Sequence, residues 1–281
     1  MAAIKILNMF HLSVAELAGR LAGQPPRLGR TRLIAVDGRS GSGKTWLAGE
    51  LAGPLGAPVI HMDDLYPGWD GPAAALGVLT DWVVGPLERG QAARWRRFDW
   101  ELMEYAEWHS TAADVVLVEG CGSVRAALAP VYAARVWVEA PPAARERRLR
   151  ARADWAVYEP HARQWAEQED ELYRTEHTRQ RCDIVVENLQ PGADQAKLVV
   201  HLRGGARSAV VSADARTATA AHRYGDEIPN GTSGPLSAYL TSVPRMHGPP
   251  AEFQPNHVLH QLARRRGSLP ARGKDRHRRV R

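Results

Sequence analysis

The sequence predicts an α/β protein built on a parallel, largely buried sheet with helices on both faces. Three observations carry this prediction. Five short apolar segments rich in β-branched residues occur at 32–37, 58–61, 114–119, 134–139 and 183–187, and helix-length stretches separate them. Near-continuous apolar strands alternating with helices are the mark of a doubly covered parallel sheet. A glycine-rich run, GRSGSGKT at 38–45, lies directly behind the first of these strands. Right-handed crossovers bring the C-terminal ends of parallel strands to one rim, so functional residues are expected just after strands.

The elements follow in order. Before the first strand, Asn8, His11, Ser13 and Glu16 interrupt the apolar N-terminus too early for a signal peptide or membrane span. Ser13 and Glu16 have capping-box spacing, Leu17 and Leu21 follow at helical spacing, and Gly23, Pro25 and Pro26 close the segment. This makes residues 1–30 an N-terminal helix packed on a core domain, 31–200. Beyond about 200 the pattern stops. The only aromatics in 201–281 are Tyr224, Tyr239 and Phe253, and Gly, Pro, Ser, Ala and Arg dominate, so the stretch is read as a disordered tail.

Charge sharpens the division. The chain of 281 residues has a formal net charge of +6, but residues 264–281 hold nine Lys and Arg against the single acid Asp275, or +8, leaving −2 for residues 1–263. A non-basic globular part argues against a nucleic-acid-binding protein, and the arginine run reads as a solvated tail rather than a nucleic-acid or lipid contact. Cys121 and Cys182 lack metal-ligand spacing and are expected to be reduced. With no membrane segment predicted, the expected location is the cytoplasm; the sequence leaves oligomeric state open.

The run at 38–45 has the G-x-x-x-x-G-K-[ST] spacing of a phosphate-binding loop. Gly38, Gly41 and Gly43 let the backbone turn so that the amides of Arg39, Ser40, Ser42 and their neighbours point at a phosphate, at the N-terminus of a helix that begins near Trp46. Lys44 can then reach the β- and γ-phosphates, and the Thr45 hydroxyl can bind Mg²⁺. The second strand leads into Met62-Asp63-Asp64-Leu65-Tyr66, whose carboxylates could orient an attacking hydroxyl unless Asp63 or Asp64 merely caps the helix that follows. The third strand ends at Glu119, a candidate for the metal environment. After the fourth, Arg145, Arg148 and Arg152 are spaced by three and four on one helix face and could fold over phosphates as a lid at about 142–155, unless the acids Glu167, Glu169, Asp170 and Glu171 merely balance them.

Together DGRSGSGKT (37–45), MDDLY (62–66), RRFDW (96–100), VVLVEG (115–120), RERRLRARAD (145–154) and CDIVVEN (182–188) resemble the uridine kinase-like branch of the P-loop nucleoside kinases, over roughly residues 30–190. The resemblance implies a Mg²⁺-ATP donor, a five-stranded sheet in the order 2-3-1-4-5 and a helical substrate and lid region. It makes Asp63 the general base and a metal neighbour with Thr45 and Glu119. It gives Arg145, Arg148 and Arg152 the lid role and sets Asn188 beside the adenine.

The acceptor region, about 64–110, departs from that pattern. The family carries a histidine after a Tyr-Asp-Phe-like segment, whereas here Phe98-Asp99-Trp100 is followed by no histidine before His109. Five of the nine tryptophans fall between Trp69 and Trp108, where they can stack on an aromatic base or fill the core. Asp64, Tyr66, Trp69, Asp70, Arg97, Phe98 and Asp99 are the candidate substrate contacts, with Asp81 a further hydroxyl partner. Arg94, Arg96 and Arg97 could instead meet a phosphate already on the acceptor, as in a nucleoside monophosphate kinase. A third reading is an ATP-binding regulatory module with no acceptor. The absence of a lysine after an asparagine argues against a GTPase, and the absence of Leu-Ser-Gly-Gly against an ABC-type ATPase.

Overall fold

The computed structural model describes residues 7–188 and 198–203. The predicted tail, arginine run included, lies outside the described residues apart from its first three positions. Among the described residues no helix is long and apolar enough to cross a membrane.

The chain begins with strand β1 (Leu7–Leu12) and helix α1 (Val14–Ala22), where Ser13 and Glu16 close a reciprocal capping box. β2 (Arg32–Asp37) feeds α2 (Lys44–Leu55), and β3 (Val59–His61) passes without a break into α3 (Met62–Leu65). A helical run follows through α4 (Gly71–Val78), a π-helical segment Leu79–Val84 and α5 (Gly85–Glu88). Pro86 has no N–H to offer the carbonyl of Trp82, and the Gly85 amide bonds Thr80 O instead, one residue wider than an α-helix. β4 (Ala93–Asp99) and β5 (Glu104–Thr111) form a separate antiparallel hairpin. β6 (Val115–Glu119) and β7 (Tyr132–Glu139) return to the main sheet, followed by α6 (Pro142–Arg150), α7 (Trp155–Tyr158), α8 (Ala162–Glu176), α9 (Thr178–Arg181), β8 (Ile184–Glu187) and β9 (Leu198–Arg203).

The main sheet has seven strands in the order β1-β9-β8-β7-β2-β6-β3. Its five parallel strands are those legible in the sequence, and counted in chain order they lie 2-3-1-4-5. Two more strands extend one edge, β9 antiparallel to β8 and β1 antiparallel to β9, so the sheet is seven-stranded rather than five-stranded and parallel-dominated rather than all parallel. These edge strands carry polar residues such as Asn8, His11 and His201, which is why they lack the apolar run of a strand buried on both faces. Likewise, the region between β3 and β6 is not wholly helical: its second half is the β4–β5 hairpin.

Alternation along β2 divides the core. Ile34 and Val36 face α1 and α2, packing with Leu17, Leu21, Leu47 and Leu51. Leu33 and Ala35 face the other layer, with Met62, Leu65, Tyr66, Leu79, Trp165 and Leu172 from the helices beyond β3 and from α8. Both clusters meet at the central strand, which holds the loop after Asp37 between two packed layers.

Candidate active site

At the end of β2 the backbone turns through Gly38 (φ 149°), Gly41 (φ 76°) and Gly43 (φ 98°) before α2 starts at Lys44. Side chains strain such angles. They would also collide here: a Cβ at Gly38 would meet the Val138 carbonyl, at Gly41 the Arg145 backbone and at Gly43 the Asn188 amide. Strand, glycine loop and helix N-terminus together form a P-loop, an anion-binding cradle.

Asp37 anchors it from below. Fully buried, its Oδ1 accepts from Gly38 N (2.7 Å), Gly122 N (3.2 Å) and the Tyr173 hydroxyl (2.8 Å), and its Oδ2 from Val124 N (2.9 Å). Burial pushes its pKa up to about 6, opposed by the hydrogen bonds from Val124, Tyr173 and Gly38 and by the charge of Lys44. Replacing Asp37 by Ala leaves those donors without an acceptor and is expected to lower stability by about 2–4 kcal/mol, outweighing the relief of a buried charge. A denaturant midpoint that falls with the slope unchanged would show it; an unmoved midpoint would contradict the anchoring role.

Lys44 Nζ lies across the loop, donating to Arg39 O (3.2 Å) and to Cys121 Sγ (3.6 Å). Burial disfavours its charge, yet the Cys121 sulfur and the acids Glu169, Glu119 and Asp37 together hold its pKa above the usual lysine value. It is a fixed cation at the mouth of the cradle. Next to it, Thr45 Oγ1 donates to Glu119 Oε1 (3.1 Å), and His61 Nδ1 lies 2.6 Å from the same oxygen. That contact raises the His61 pKa, against burial, with further support from Asp64 and Asp63. Among the described residues no three His, Cys, Asp or Glu side chains converge as a metal cage. The hard oxygens of Thr45 and Glu119 nevertheless suit Mg²⁺, which in nucleotide sites takes most of its ligands from phosphate and water.

The two acids in the first turn of α3 face different neighbours, and neither side chain caps that helix. Asp63 is exposed to solvent, and desolvation by the protein crowded around it together with Glu119 raises its pKa while Lys44, Arg152 and His61 pull it down. Asp64 is raised mainly by desolvation too, but besides His61 its attractive neighbours are Trp95, His109 and Arg97, on the hairpin. Trp100 Nε1 donates to the Asp63 carbonyl (3.1 Å) and Trp95 Nε1 approaches Asp64 Oδ2 (3.5 Å), so the hairpin is tied to both. Pairing of Trp95 with His109 across the hairpin, with their rings stacked at 5.6 Å, brings that histidine next to Asp64.

The arginine face is used unevenly. Arg145 Nη1 donates to Ser40 O (3.3 Å), and Arg148 Nη1 donates to the carbonyls of Gly41 and Ser42 (3.2 Å each). Arg148 Nη2 reaches Asn188 O (3.2 Å) and Oδ1 (3.3 Å), and Asn188 Nδ2 donates to Ser42 O (2.8 Å). These groups brace the outside of the loop. Arg152 pairs with Asp154 (2.5 Å) and is the member of the row that acts on the charge of Asp63. The Arg39 side chain turns away to Asp170 (2.6 Å), the Ser42 hydroxyl is buried without a partner, and Trp46 is 37% exposed on α2.

Among the substrate candidates, Tyr66 is buried, its hydroxyl donating to Cys121 O (2.8 Å), and Phe98 packs against Trp100 and Tyr105. Trp69 stacks on His161 (4.1 Å) and touches Trp100 (4.6 Å); Asp70 accepts from Gln164 Nε2 (3.0 Å). Asp99 accepts from the amides of Glu101 and Leu102 and closes the hairpin turn, while Arg97 is held by Glu107 and Asp99. Arg96 donates to the carbonyls of Ala106 and Tyr105, and Arg94 lies over the Trp108 ring (5.4 Å).

Four residues escape the sequence reading. Asp37 and Tyr173 lock the loop, and Cys121, buried and free like Cys182, sits beside Lys44. Glu169 accepts from Ser40 N (2.9 Å) and Ser40 Oγ (2.6 Å), although the sequence sets it in an acidic stretch that reads as solvated. Its signal was available: Trp165, Glu169, Leu172 and Tyr173 form one buried stripe of α8, and an acid on an apolar stripe needs a partner.

Neither a protein-family profile nor a curated protein sequence matches this chain. Among solved structures the chain is similar to a possible uridine kinase from Bacillus stearothermophilus, at 19% identity over 61% of this chain and 96% of that one, with a TM-score of 0.46. It is similar also to a putative fructose transport system kinase from Silicibacter sp. TM1040, at 22% identity over 53% and 89%, with a TM-score of 0.42. A shikimate kinase from Bacteroides thetaiotaomicron aligns at 19% identity over 53% and 82%, with a TM-score of 0.26. At these values any functional conclusion rests on the site's own residues.

Proposed function

We propose that this chain is an ATP-dependent phosphotransferase that moves the γ-phosphate of Mg²⁺-ATP to a hydroxyl of a small molecule, a nucleoside or nucleoside-like compound. The observation that carries the reading is the position of Asp63. Its carboxylate lies within electrostatic reach of Lys44, Glu119 and Arg152 on the loop side, and Trp100 binds its backbone on the hairpin side. An acid between a phosphate cradle and an aromatic wall can orient a hydroxyl and take its proton as the new P–O bond forms.

The other groups take roles by their neighbours. Lys44 and the loop amides hold the donor phosphates, and Thr45 with Glu119 would hold Mg²⁺, which neutralises charge on the β- and γ-phosphates. Arg152 stabilises charge on the group in transfer, Arg148 with Arg145 and Asn188 fixes the loop, and Asp64, His109, Trp69 and Trp100 border the acceptor. Engagement of Arg94, Arg96 and Arg97 inside the hairpin favours an acceptor without a phosphate of its own.

An ATP-consumption screen against nucleosides, nucleoside monophosphates, sugars and pantothenate-like alcohols tests this. Turnover with a neutral hydroxyl compound is the expected result. Tight ATP binding with no consumption for any acceptor would favour the regulatory-module reading, and turnover with monophosphates alone would favour the monophosphate kinase. Deleting 205–281 is expected to leave turnover unchanged, and a loss would assign the tail a part in the reaction.

A further inference from the structure

Glu169, in the middle of α8, is an acid buried against the loop, 2% exposed. Its Oε1 takes both hydrogen-bond donors of Ser40, amide and hydroxyl, and also the Cys121 thiol (2.9 Å). The nearest guanidinium, on Arg39, stays 4.0 Å from Oε2. Lys44 supplies the remaining compensation, since Glu169 is one of the acids that sustain its charge. A buried carboxylate thus accepts from a loop amide and lies within electrostatic reach of the loop lysine, the kind of partners that a phosphate oxygen would use.

We propose that Glu169 is an internal occupant of the phosphate loop, holding the Ser40 donors until a nucleoside triphosphate displaces it. This rests on the phosphate-donor reading above. Several phosphate charges brought to the same low-dielectric cradle repel a carboxylate already bonded there, so the two cannot keep the same donors at full strength. Displacement does not stay local. One turn before Glu169 on the same face, Trp165 packs on Tyr66 (5.0 Å), Trp69 (6.2 Å) and Trp100 (6.3 Å), and one turn after it Tyr173 bonds Asp37. α8 therefore joins the loop to the aromatic wall of the acceptor side, and Glu169 is a positioning residue whose release by the donor reshapes that wall.

Equilibrium titration of the full chain with Mg²⁺-ATP, comparing wild type with Glu169→Gln and Glu169→Asp, tests the idea without any acceptor. Glu169→Gln removes the charge at nearly the same shape and is expected to bind ATP about 5–50-fold more tightly. Glu169→Asp keeps the charge but withdraws it by one methylene and should fall between. A purely structural role would weaken binding in both. Hydrogen exchange in 162–176 is expected to rise when ATP is added to wild type and to be raised already in Glu169→Gln without ATP. Equal or weaker ATP affinity in both variants, with ATP bound by wild type, overturns the displacement and leaves the kinase reading standing. Failure of all three proteins to bind ATP overturns both.

Discussion

Lys44→Ala is expected to lower kcat/KM by at least about a thousandfold, roughly 4 kcal/mol of transition-state stabilisation. Nothing nearby substitutes for the amine. Arg145 and Arg148 donate to loop carbonyls, Arg39 is paired with Asp170, and Arg152 with Asp154. The charge is also prearranged, because Cys121, Glu169, Glu119 and Asp37 sustain it against burial. Removing it leaves three acids facing incoming phosphates, so ATP affinity should fall together with turnover. Steady-state kinetics with an ATP titration, alongside a melting curve showing that the variant folds, measures both; turnover within tenfold of wild type would remove Lys44 from the mechanism.

Asp63→Asn is expected to lower kcat by about two to four orders of magnitude while ATP binding stays nearly intact. The substitution preserves shape, and the hydrogen bond from Trp100 goes to the Asp63 backbone carbonyl, so the wall is undisturbed. The pH profile gives a second readout. Desolvation by the surrounding protein and the charge of Glu119 raise the Asp63 pKa, and a base must be unprotonated to work. Turnover should therefore fall as pH drops, with a midpoint above that of an ordinary aspartate, and this acid limb should disappear in the variant. Near-full turnover in Asp63→Asn would shift the role to Asp64, and the parallel Asp64→Asn variant would then show the loss.

The parallel strands were legible because each is buried on both faces and reads as an apolar run, and the glycine spacing fixed the loop between β2 and α2. The hairpin was not. A register shift between Arg96 and Phe98 breaks its period of two, and its turn uses Met103 at φ 55° where an Asn-Gly or Asp-Gly pair would have announced it. The candidate site was legible where one segment carries it, as with the loop residues Lys44 and Thr45 and the acid Asp63. It was opaque where distant segments meet: Asp37 with Tyr173 and Val124, Glu169 with Ser40, and His109 with Asp64 acquire their partners only through the fold.

The pairing of β1 with β9 bears on how the chain reaches this state. Residues 7–12 leave the ribosome before the rest of the described chain, yet their only strand partner among the described residues is 198–203. The P-loop, its helix and the parallel core can assemble beforehand, while β1 waits through the synthesis of almost the whole domain. Such a long-range contact adds to contact order and favours late closure of that edge. A nascent chain arrested before residue 198 would present β8 as an open edge, the surface on which premature pairing with another chain is most favourable.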